Sequence, residues 1–134
     1  MGVSVFVNIF EYRMRPDADL ALYEELGAQM YQRVTSDPRF TFIEMKGFPT
    51  SPTEGVVIER FATLEGARLW ASDPEHNRIK RRGQREFYAW YRGTACVVDH
   101  EYDHPSPVVG LSVILCVARR DLHGFGSWAG EDHA

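Results

Sequence analysis

The sequence is short of cysteine, of surplus charge of one sign and of long apolar runs. Its two cysteines, Cys96 and Cys116, form no CxxC motif and no cluster with metal-ligand spacing, which argues against a disulfide framework and a zinc finger. A net charge of -4 does not favour nucleic acid as a partner. The longest apolar run, residues 108–118, is too short for a transmembrane helix, which needs about 20 residues. We therefore expect no membrane segment.

The first residues also lack the basic region and the small-residue cleavage site of a secretory signal, so the expected location is the cytoplasm. Neither a glycine-rich phosphate loop nor a nucleotide-binding fingerprint is present in the sequence. What the chain does have is the composition of a folded protein, with 44% apolar and 25% charged residues. Its 134 residues suit one domain rather than two.

Local patterns in the first half predict two types of element. β-Branched and aromatic residues predict a strand over residues 3–12, and apolar residues three and four apart predict an amphipathic helix from about 16 to 35. Residues 40–45 and 56–61 predict two further strands, which the turn-forming residues 47–53 join into a hairpin.

The second half begins with Thr63 as a helix N-cap. The helix is interrupted at residues 73–75 and begins again there, because Asp is a preferred cap and Pro is favoured at the first helical position. We predict that this second segment reaches about Tyr91 and ends at Gly93. A fourth strand is then predicted over residues 94–102.

This order of elements predicts an α+β fold of the ferredoxin-like type, with a split βαββαβ pattern and a four-stranded antiparallel sheet. The pattern occupies residues 1–103, which we take as the domain. Residues 104–134 form a C-terminal extension that opens with a Pro-containing linker at 104–107. Three alternatives stay open for this extension: a packed addition to the domain, an arm that lies on a partner chain, and a frayed tail.

The first strand carries apolar side chains on both of its faces. One face holds aromatic residues together with Asn8, and the other holds Val3, Val5, Val7 and Ile9. A sheet with one solvated face would alternate apolar and polar residues, and helices cover only one face in this fold. We therefore predict a homodimer in which the sheets of two copies pack face to face.

Residues 100–104 match the HExxH pattern of zinc proteases in letters only. That pattern binds zinc on a helix, where its two histidines share a face. Here it ends a predicted strand and runs into Pro105, and an extended chain would hold the imidazoles about 13 Å apart. We treat the match as a coincidence and predict no metal site.

Several segments resemble the antibiotic biosynthesis monooxygenase family. Residues 70–76, Trp-Ala-Ser-Asp-Pro-Glu-His, and the Arg-Gly-x-x-x-Phe-Tyr element within residues 81–92 are similar to that family's second helix. Residues 5–10 resemble its first strand, including an Asn that faces the pocket. The resemblance covers about residues 3–103 and implies a dimeric α/β barrel. Members are small oxygenases: some oxidise polycyclic phenols to quinones without metal or flavin, and others bind and cleave heme.

The resemblance implies three catalytic residues, each with a plainer alternative. Asn8 is either a satisfied buried amide or a hydrogen-bond donor to a substrate oxygen or a peroxide. Trp70 is either a core residue or a pocket wall that orients the substrate. His76 lies three residues before Ile79 and so points to the apolar face. It is either a general base or iron ligand, or a partly exposed histidine kept neutral by the helix N-terminus.

Four aromatic residues complete the expected substrate-binding pocket: Phe6, Phe10, Tyr88 and Tyr91. The two tyrosines are more simply core and rim residues, although one of them could bind a phenolate. Five cations within residues 78–85 are typical of a solvated helix face, while an anionic ligand would favour this neighbourhood. In the heme-cleaving branch the axial histidine stands about where this chain has Lys80, which puts axial ligation by His76 in question.

These residues support three functional hypotheses. The first, which we expect, is a cofactor-independent monooxygenase that oxidises an electron-rich small aromatic substrate, such as a phenol or an anthrone, with O2. The second is a heme-binding and heme-degrading monooxygenase, in which His76 would bind the iron. The third is a dimeric barrel that binds a small ligand without catalysis, because a fold does not determine a function.

Overall fold

The computed structural model describes residues 5–104. Within them the chain forms four strands, three α-helices, a 3₁₀ turn at Pro38–Phe40 and a π-helical turn at Gly83–Phe87. The main elements in chain order are β1 Phe6–Met14, α1 Leu20–Ser36, β2 Phe42–Ser51, β3 Glu54–Phe61, α2 Leu64–Ser72, α3 Pro74–Arg82 and β4 Tyr88–Val97. The predicted C-terminal extension, with Cys116, lies outside the described residues except for its first residue, His104.

The four strands form one antiparallel sheet in the order β2-β3-β1-β4. The central strand β1 therefore pairs with β3 on one side and with β4 on the other. Its register places Asn8 opposite Glu59 on β3 and opposite Ala95 on β4. This topology confirms the α+β, ferredoxin-like prediction.

Side-chain caps begin each α-helix. Asp19 accepts a hydrogen bond from the Leu22 amide at 3.0 Å, and Thr63 accepts one from the Gly66 amide at 2.9 Å. Asp73 caps α3, with Pro74 at its first position. The predicted interruption between the two helices of the second half is therefore confirmed, and it separates α2 from α3 at residue 73.

The predicted end of the second helix is wrong. Helix α3 ends at Arg82, the π-helical turn follows, and β4 already begins at Tyr88 rather than at residue 94. Aromatic residues at i, i+4 spacing fit a helix, but Tyr88 and Tyr91 also suit a strand, and pairing with β1 decides between the two. Gly93 consequently lies inside β4, opposite Phe10, and does not end a helix.

The hairpin is longer than its pattern predicted. Strand β2 continues to Ser51, through the glycine and proline that we assigned to a turn over residues 47–53. Pro49 is compatible with a strand here because β2 lies at the edge of the sheet, where one row of amides needs no partner. The actual turn is confined to the residues between Ser51 and Glu54.

The core lies between the helices and one face of the sheet. One cluster joins Tyr12 and Val57 of the sheet to Tyr23 and Leu26 of α1, and a second packs Phe61 against Trp70. Neither cluster of the described residues includes Val7, Ile9, Val56 or Ile58, which lie on the opposite sheet face beside charged side chains such as Glu11 and Arg60. No helix within residues 5–104 is long and apolar enough to cross a membrane.

Candidate active site

A cavity of about 530 Å³ lies between the helices and the sheet. Its walls are mostly apolar, and aromatic side chains contribute from both layers. All seven residues expected in the pocket line it: Phe6, Asn8, Phe10, Trp70, His76, Tyr88 and Tyr91. The sequence analysis therefore placed these side chains around one space, while their roles stay predictions.

His76 packs flat against Trp70 inside this cavity. The ring centroids are 4.0 Å apart and the planes differ by 9°. Nδ1 of His76 lies 2.8 Å from the backbone oxygen of Trp70. A carbonyl oxygen can only accept, so Nδ1 carries the hydrogen, and in the neutral ring Nε2 carries the lone pair.

Burial keeps this imidazole neutral. Loss of solvent is the main cause that lowers the pKa of His76 to about 4, and the nearby Lys80 acts in the same direction. We expected a neutral ring because of the helix N-terminus, and the structure adds burial as a cause that the sequence analysis did not consider. Nε2 has no hydrogen-bond partner among the described residues, and none of their fully buried side-chain nitrogens or oxygens is unpaired. Nε2 is therefore open to the cavity.

A charged pair holds the start of α3 and with it His76. Arg33 of α1 donates to both carboxylate oxygens of Asp73, over 2.7 and 2.6 Å. The same carboxylate accepts a hydrogen bond from the backbone amide of His76 at 3.0 Å. The Arg33 guanidinium is the main cause that lowers the pKa of Asp73 to about 2. The side chain of Asp73 is buried, so the pair is shielded from water on that side.

Asn8 faces a carboxylate that the sequence analysis missed. Its Nδ2 donates a hydrogen bond to Oε2 of Glu59 at 2.9 Å, and both side chains line the cavity. Burial raises the pKa of Glu59, while the hydrogen bond from Asn8 and the charge of Lys80 act in the opposite direction. A signal did exist in the sequence. Glu59 is two residues from each of the apolar residues Val57 and Phe61, so it shares their face of β3, as Asn8 shares a face of β1 with aromatic residues.

Tyr88 is paired rather than free. Its hydroxyl lies 2.9 Å from the hydroxyl of Tyr23, so one donates to the other. Burial raises the pKa of both phenols well above the ordinary value of 10.0. The two hydroxyls therefore stay protonated at neutral pH, and Tyr88 is suited to donate a hydrogen bond but not to remove a proton.

Tyr91 lies at the rim of the cavity, 42% exposed. Its hydroxyl accepts a hydrogen bond from Nε2 of Gln84 at 2.8 Å, and its ring stacks on Phe10 with centroids 5.7 Å apart. Phe10 also meets Tyr88 edge-on at 5.3 Å. These rings form the aromatic end of the cavity.

The π-helical turn brings Tyr88 into place. A Cβ at Gly83 would lie 2.9 Å from the Tyr88 ring, closer than real side chains approach. Glycine at this position therefore allows the ring to pack against the backbone of the turn. π-Helical turns often occur at functional sites, and this one lines the cavity through Gly83, Gln84 and Phe87.

The cations of α3 behave mainly as a solvated face. Arg78 pairs with Glu75 and Arg82 with Glu86, both on the surface. Lys80 is the member of the run that lines the cavity. The HExxH match lies in a segment without regular structure, where His100 is exposed. Within residues 5–104 there is no group of three side chains that could hold a metal ion.

Solved structures share this architecture at low sequence identity. SnoaB, a cofactor-independent oxygenase from Streptomyces nogalater, has a TM-score of 0.59 and 9% identity, over 78% of this chain and 100% of its own. An antibiotic biosynthesis monooxygenase has a TM-score of 0.58 and 13% identity, over 72% and 99%. The chain has the fold of the antibiotic biosynthesis monooxygenases. The ferredoxin-like fold of the protomer that the sequence resemblance implied is thereby confirmed.

A third structure is a dimeric ferredoxin-like protein of unknown function from Thermobifida fusca. Its TM-score is 0.54 and its identity 10%, over 72% of this chain and 92% of its own. No family profile matches the sequence, and no curated protein matches it. Identities at this level establish the fold, and the function has to be argued from the site.

Proposed function

We propose that this protein is a cofactor-independent monooxygenase that oxidises an electron-rich aromatic compound with O2. The observation that carries the proposal is the pairing of an apolar, aromatic-walled cavity with two proton-accepting groups, Nε2 of His76 and the Glu59 carboxylate. The fold that it shares with SnoaB supports the same conclusion. A hydroxylated polycyclic aromatic or an anthrone is the substrate class that suits such a cavity.

The chemistry requires a substrate that becomes electron-rich when it loses a proton. A phenol with a free para C–H loses its hydroxyl proton to a base, and the para carbon of the phenolate bonds to O2. Reprotonation of the terminal oxygen gives a hydroperoxide. Loss of the remaining C–H proton then breaks the O–O bond, releases water and leaves a quinone. One phenol and one O2 give one quinone and one water, with no external electron donor.

Each side chain has a role in this proposal that follows from its position. Phe6, Phe10 and Tyr91 shape a dry pocket around the flat substrate, and Trp70 holds the His76 ring in its orientation. Nε2 of His76 accepts a proton or a hydrogen bond without prior deprotonation. The second hydrogen of the Asn8 amide can stabilise a developing oxyanion or hydroperoxide.

The proposal includes a homodimer. The sheet face turned away from the helices carries Val7, Ile9 and Ile58 between charged side chains such as Arg60 and Glu11, and these three apolar side chains join neither core cluster of the described residues. A second copy would cover this face with the same surface, as a two-fold interface requires. The dimeric protein from Thermobifida fusca, which shares the fold, supports this arrangement.

Oxygen uptake tests the proposal. Purified protein, treated with a chelator and free of flavin absorbance, is mixed with dihydroxynaphthalene- and anthrone-type compounds in an oxygen electrode. We expect uptake that depends on protein and equals the quinone formed. Binding of these compounds without oxygen uptake would instead favour a barrel that binds ligands without catalysis.

Heme oxygenation is the second candidate, and one observation favours it. An imidazole whose Nδ1–H is held by a backbone carbonyl, with Nε2 open, is a common arrangement for a metal ligand. His76 would hold the iron, and Lys80 and Arg68, which also line the cavity, suit the propionates. Bound heme would serve as both substrate and oxygen activator. A Soret change on hemin titration that His76→Ala abolishes would support this candidate, and no spectral change would remove it.

A further inference from the structure

Glu59 is the one carboxylate among the described residues that line the cavity. It lies on β3 between Val57 and Phe61, both of which are buried. The apolar neighbours place its carboxylate against the aromatic space rather than in solvent. A carboxylate in such a position needs strong hydrogen-bond donors, because transfer of a charge out of water is costly.

The protein supplies only part of what this carboxylate needs. Oε2 accepts one hydrogen bond, from the neutral amide of Asn8 at 2.9 Å. No ion pair within residues 5–104 includes Glu59. Oε1 has no hydrogen-bond partner in this part of the chain, yet no fully buried side-chain oxygen there is unpaired. Oε1 therefore faces open cavity space, where a ligand can donate to it.

The surroundings select the type of donor. The cavity walls near Glu59 are the rings of Phe6, Phe10 and Phe61, which suit a flat aromatic body. Lys80, also at the cavity, already provides positive charge close enough to act on the carboxylate. Lys80 would repel a ligand with a cationic donor group, whereas it would not repel a neutral hydroxyl. An aromatic hydroxyl fits both conditions.

We propose that Oε1 of Glu59 binds the hydroxyl group of an aromatic substrate and accepts its proton, with Asn8 as the residue that positions the carboxylate. This inference rests on the proposed function and names the group that the substrate must carry. The O–H bond breaks, the proton moves to Oε1 and the electron pair stays on the substrate oxygen. The proton later leaves in the water that the hydroperoxide releases.

In this proposal the sheet and the helices contribute different groups to the cavity: Glu59 on the sheet removes the proton, and His76 on the helical side accepts a hydrogen bond. Burial raises the pKa of Glu59 towards the working pH, which suits a proton acceptor. His76, whose pKa is lowered to about 4, is a weaker base than Glu59. Its Nε2 atom offers a hydrogen-bond acceptor on the helical wall of the cavity. Lys80 on α3 and Tyr88 on β4 are the other titratable groups that act on or respond to Glu59.

A matched pair of ligands tests the proposal without turnover. The full chain is titrated under argon with 1-naphthol and with 1-methoxynaphthalene, which lacks the donor hydrogen, by isothermal titration calorimetry. We expect the wild-type protein to bind 1-naphthol at least about tenfold more tightly, the range of a hydrogen bond to a charged group. In Glu59→Gln, Asn8 holds the amide oxygen and leaves an NH₂ group toward the ligand, so the preference should fall below about threefold.

Two further variants control the experiment. Glu24→Gln changes an exposed carboxylate of α1 and should keep the full preference. Glu59→Met replaces the carboxylate with an apolar side chain of similar length and should also lose the preference for 1-naphthol. It serves as the test variant if Glu59→Gln folds poorly. Circular dichroism reports folding in each case.

The outcomes separate this proposal from the proposed function. Equal binding of both compounds by the wild-type protein, or a preference that survives Glu59→Gln and Glu59→Met, would overturn the role of Glu59 and leave the cavity as an aromatic site. Failure of both compounds to bind would overturn the aromatic substrate class itself, and with it both proposals.

Discussion

The His76 ring lies parallel to the Trp70 indole, 4.0 Å away, and donates Nδ1–H to the backbone oxygen of the same tryptophan at 2.8 Å. One residue thus fixes both the plane and the tautomer of the imidazole. The result is a neutral base with Nε2 open to the cavity. Burial, and not the hydrogen bond to Trp70, makes the ring a weak base, because that hydrogen bond acts to raise the pKa of His76.

The pH dependence of stability should report the burial of His76. Its folded-state pKa of about 4 lies below the ordinary value of 6.5, so the unfolded chain binds more protons between these values. The contribution is complete above pH 6.5 and falls as the pH falls toward 4, by about 3 kcal/mol in all. Urea denaturation from pH 7 to 4 should show this loss, and His76→Gln should flatten the curve. An unchanged curve in the variant would contradict the burial.

The Arg33–Asp73 pair should stabilise the protein more than a surface pair does. Asp73→Asn keeps a capping side chain but loses the charge that Arg33 meets with two hydrogen bonds. We expect a loss of about 1–3 kcal/mol in the free energy of unfolding at pH 7, measured with urea. Arg39→Gln, which breaks the exposed pair with Asp37, is the control and should change it by less than about 1 kcal/mol. Equal losses in the free energy of unfolding for the two variants would contradict the claim that the Arg33–Asp73 pair stabilises the protein more than a surface pair.

Gly83→Ala should weaken ligand binding by displacing Tyr88. The new Cβ would lie 2.9 Å from the ring, so the ring must move and its hydrogen bond with Tyr23 must break or lengthen. We expect at least about a threefold loss of affinity for 1-naphthol, in the range of one neutral hydrogen bond. Glu24→Ala is a suitable control, because Glu24 is exposed on α1 and does not line the cavity. Unaltered affinity in Gly83→Ala would show that the position of Tyr88 does not matter.

The proposed dimer predicts opposite effects for charges on the two sides of the molecule. Ile58→Arg replaces an apolar side chain at the proposed interface, next to Ile9, with a charged one, and should convert the dimer to a monomer at micromolar concentration. Leu20→Glu introduces a charge at an exposed position of α1 and should leave the dimer intact. Analytical ultracentrifugation distinguishes the two states. A wild-type monomer, or a dimer in both variants, would refute this interface.

Much of the fold could be predicted because its signals are local. Alternation along β1 separated the face of Phe6 and Asn8 from that of Val7, and the Asp-Pro pair at 73–74 placed His76 at the start of a new helix. These patterns depend on neighbours within a few residues. Trp70 and His76 became site candidates through the family resemblance, and their stacking is seen only in the structure.

The parts that were missed depend on contacts between distant segments. Glu59 became a candidate only when the register of β1 and β3 placed it opposite Asn8. Tyr88 fits a helix or a strand by its local sequence, and its pairing with Met14 on β1 decides for the strand. Long-range pairing overrides local preference at Tyr88, and at Glu59 it supplies the partner that the pattern along β3 does not identify.

Isotope labelling tests the central claim most directly. Protein free of metal and flavin is supplied with ¹⁸O2 and 1,5-dihydroxynaphthalene or anthrone, in which the carbon para to the oxygen-bearing carbon carries hydrogen, and the quinone is analysed by mass spectrometry after rapid quenching. The account predicts one ¹⁸O atom in each quinone, formed only with protein present and strongly reduced in Glu59→Gln. Quinone without the label, or no quinone with any electron-rich aromatic that the cavity binds, would contradict it.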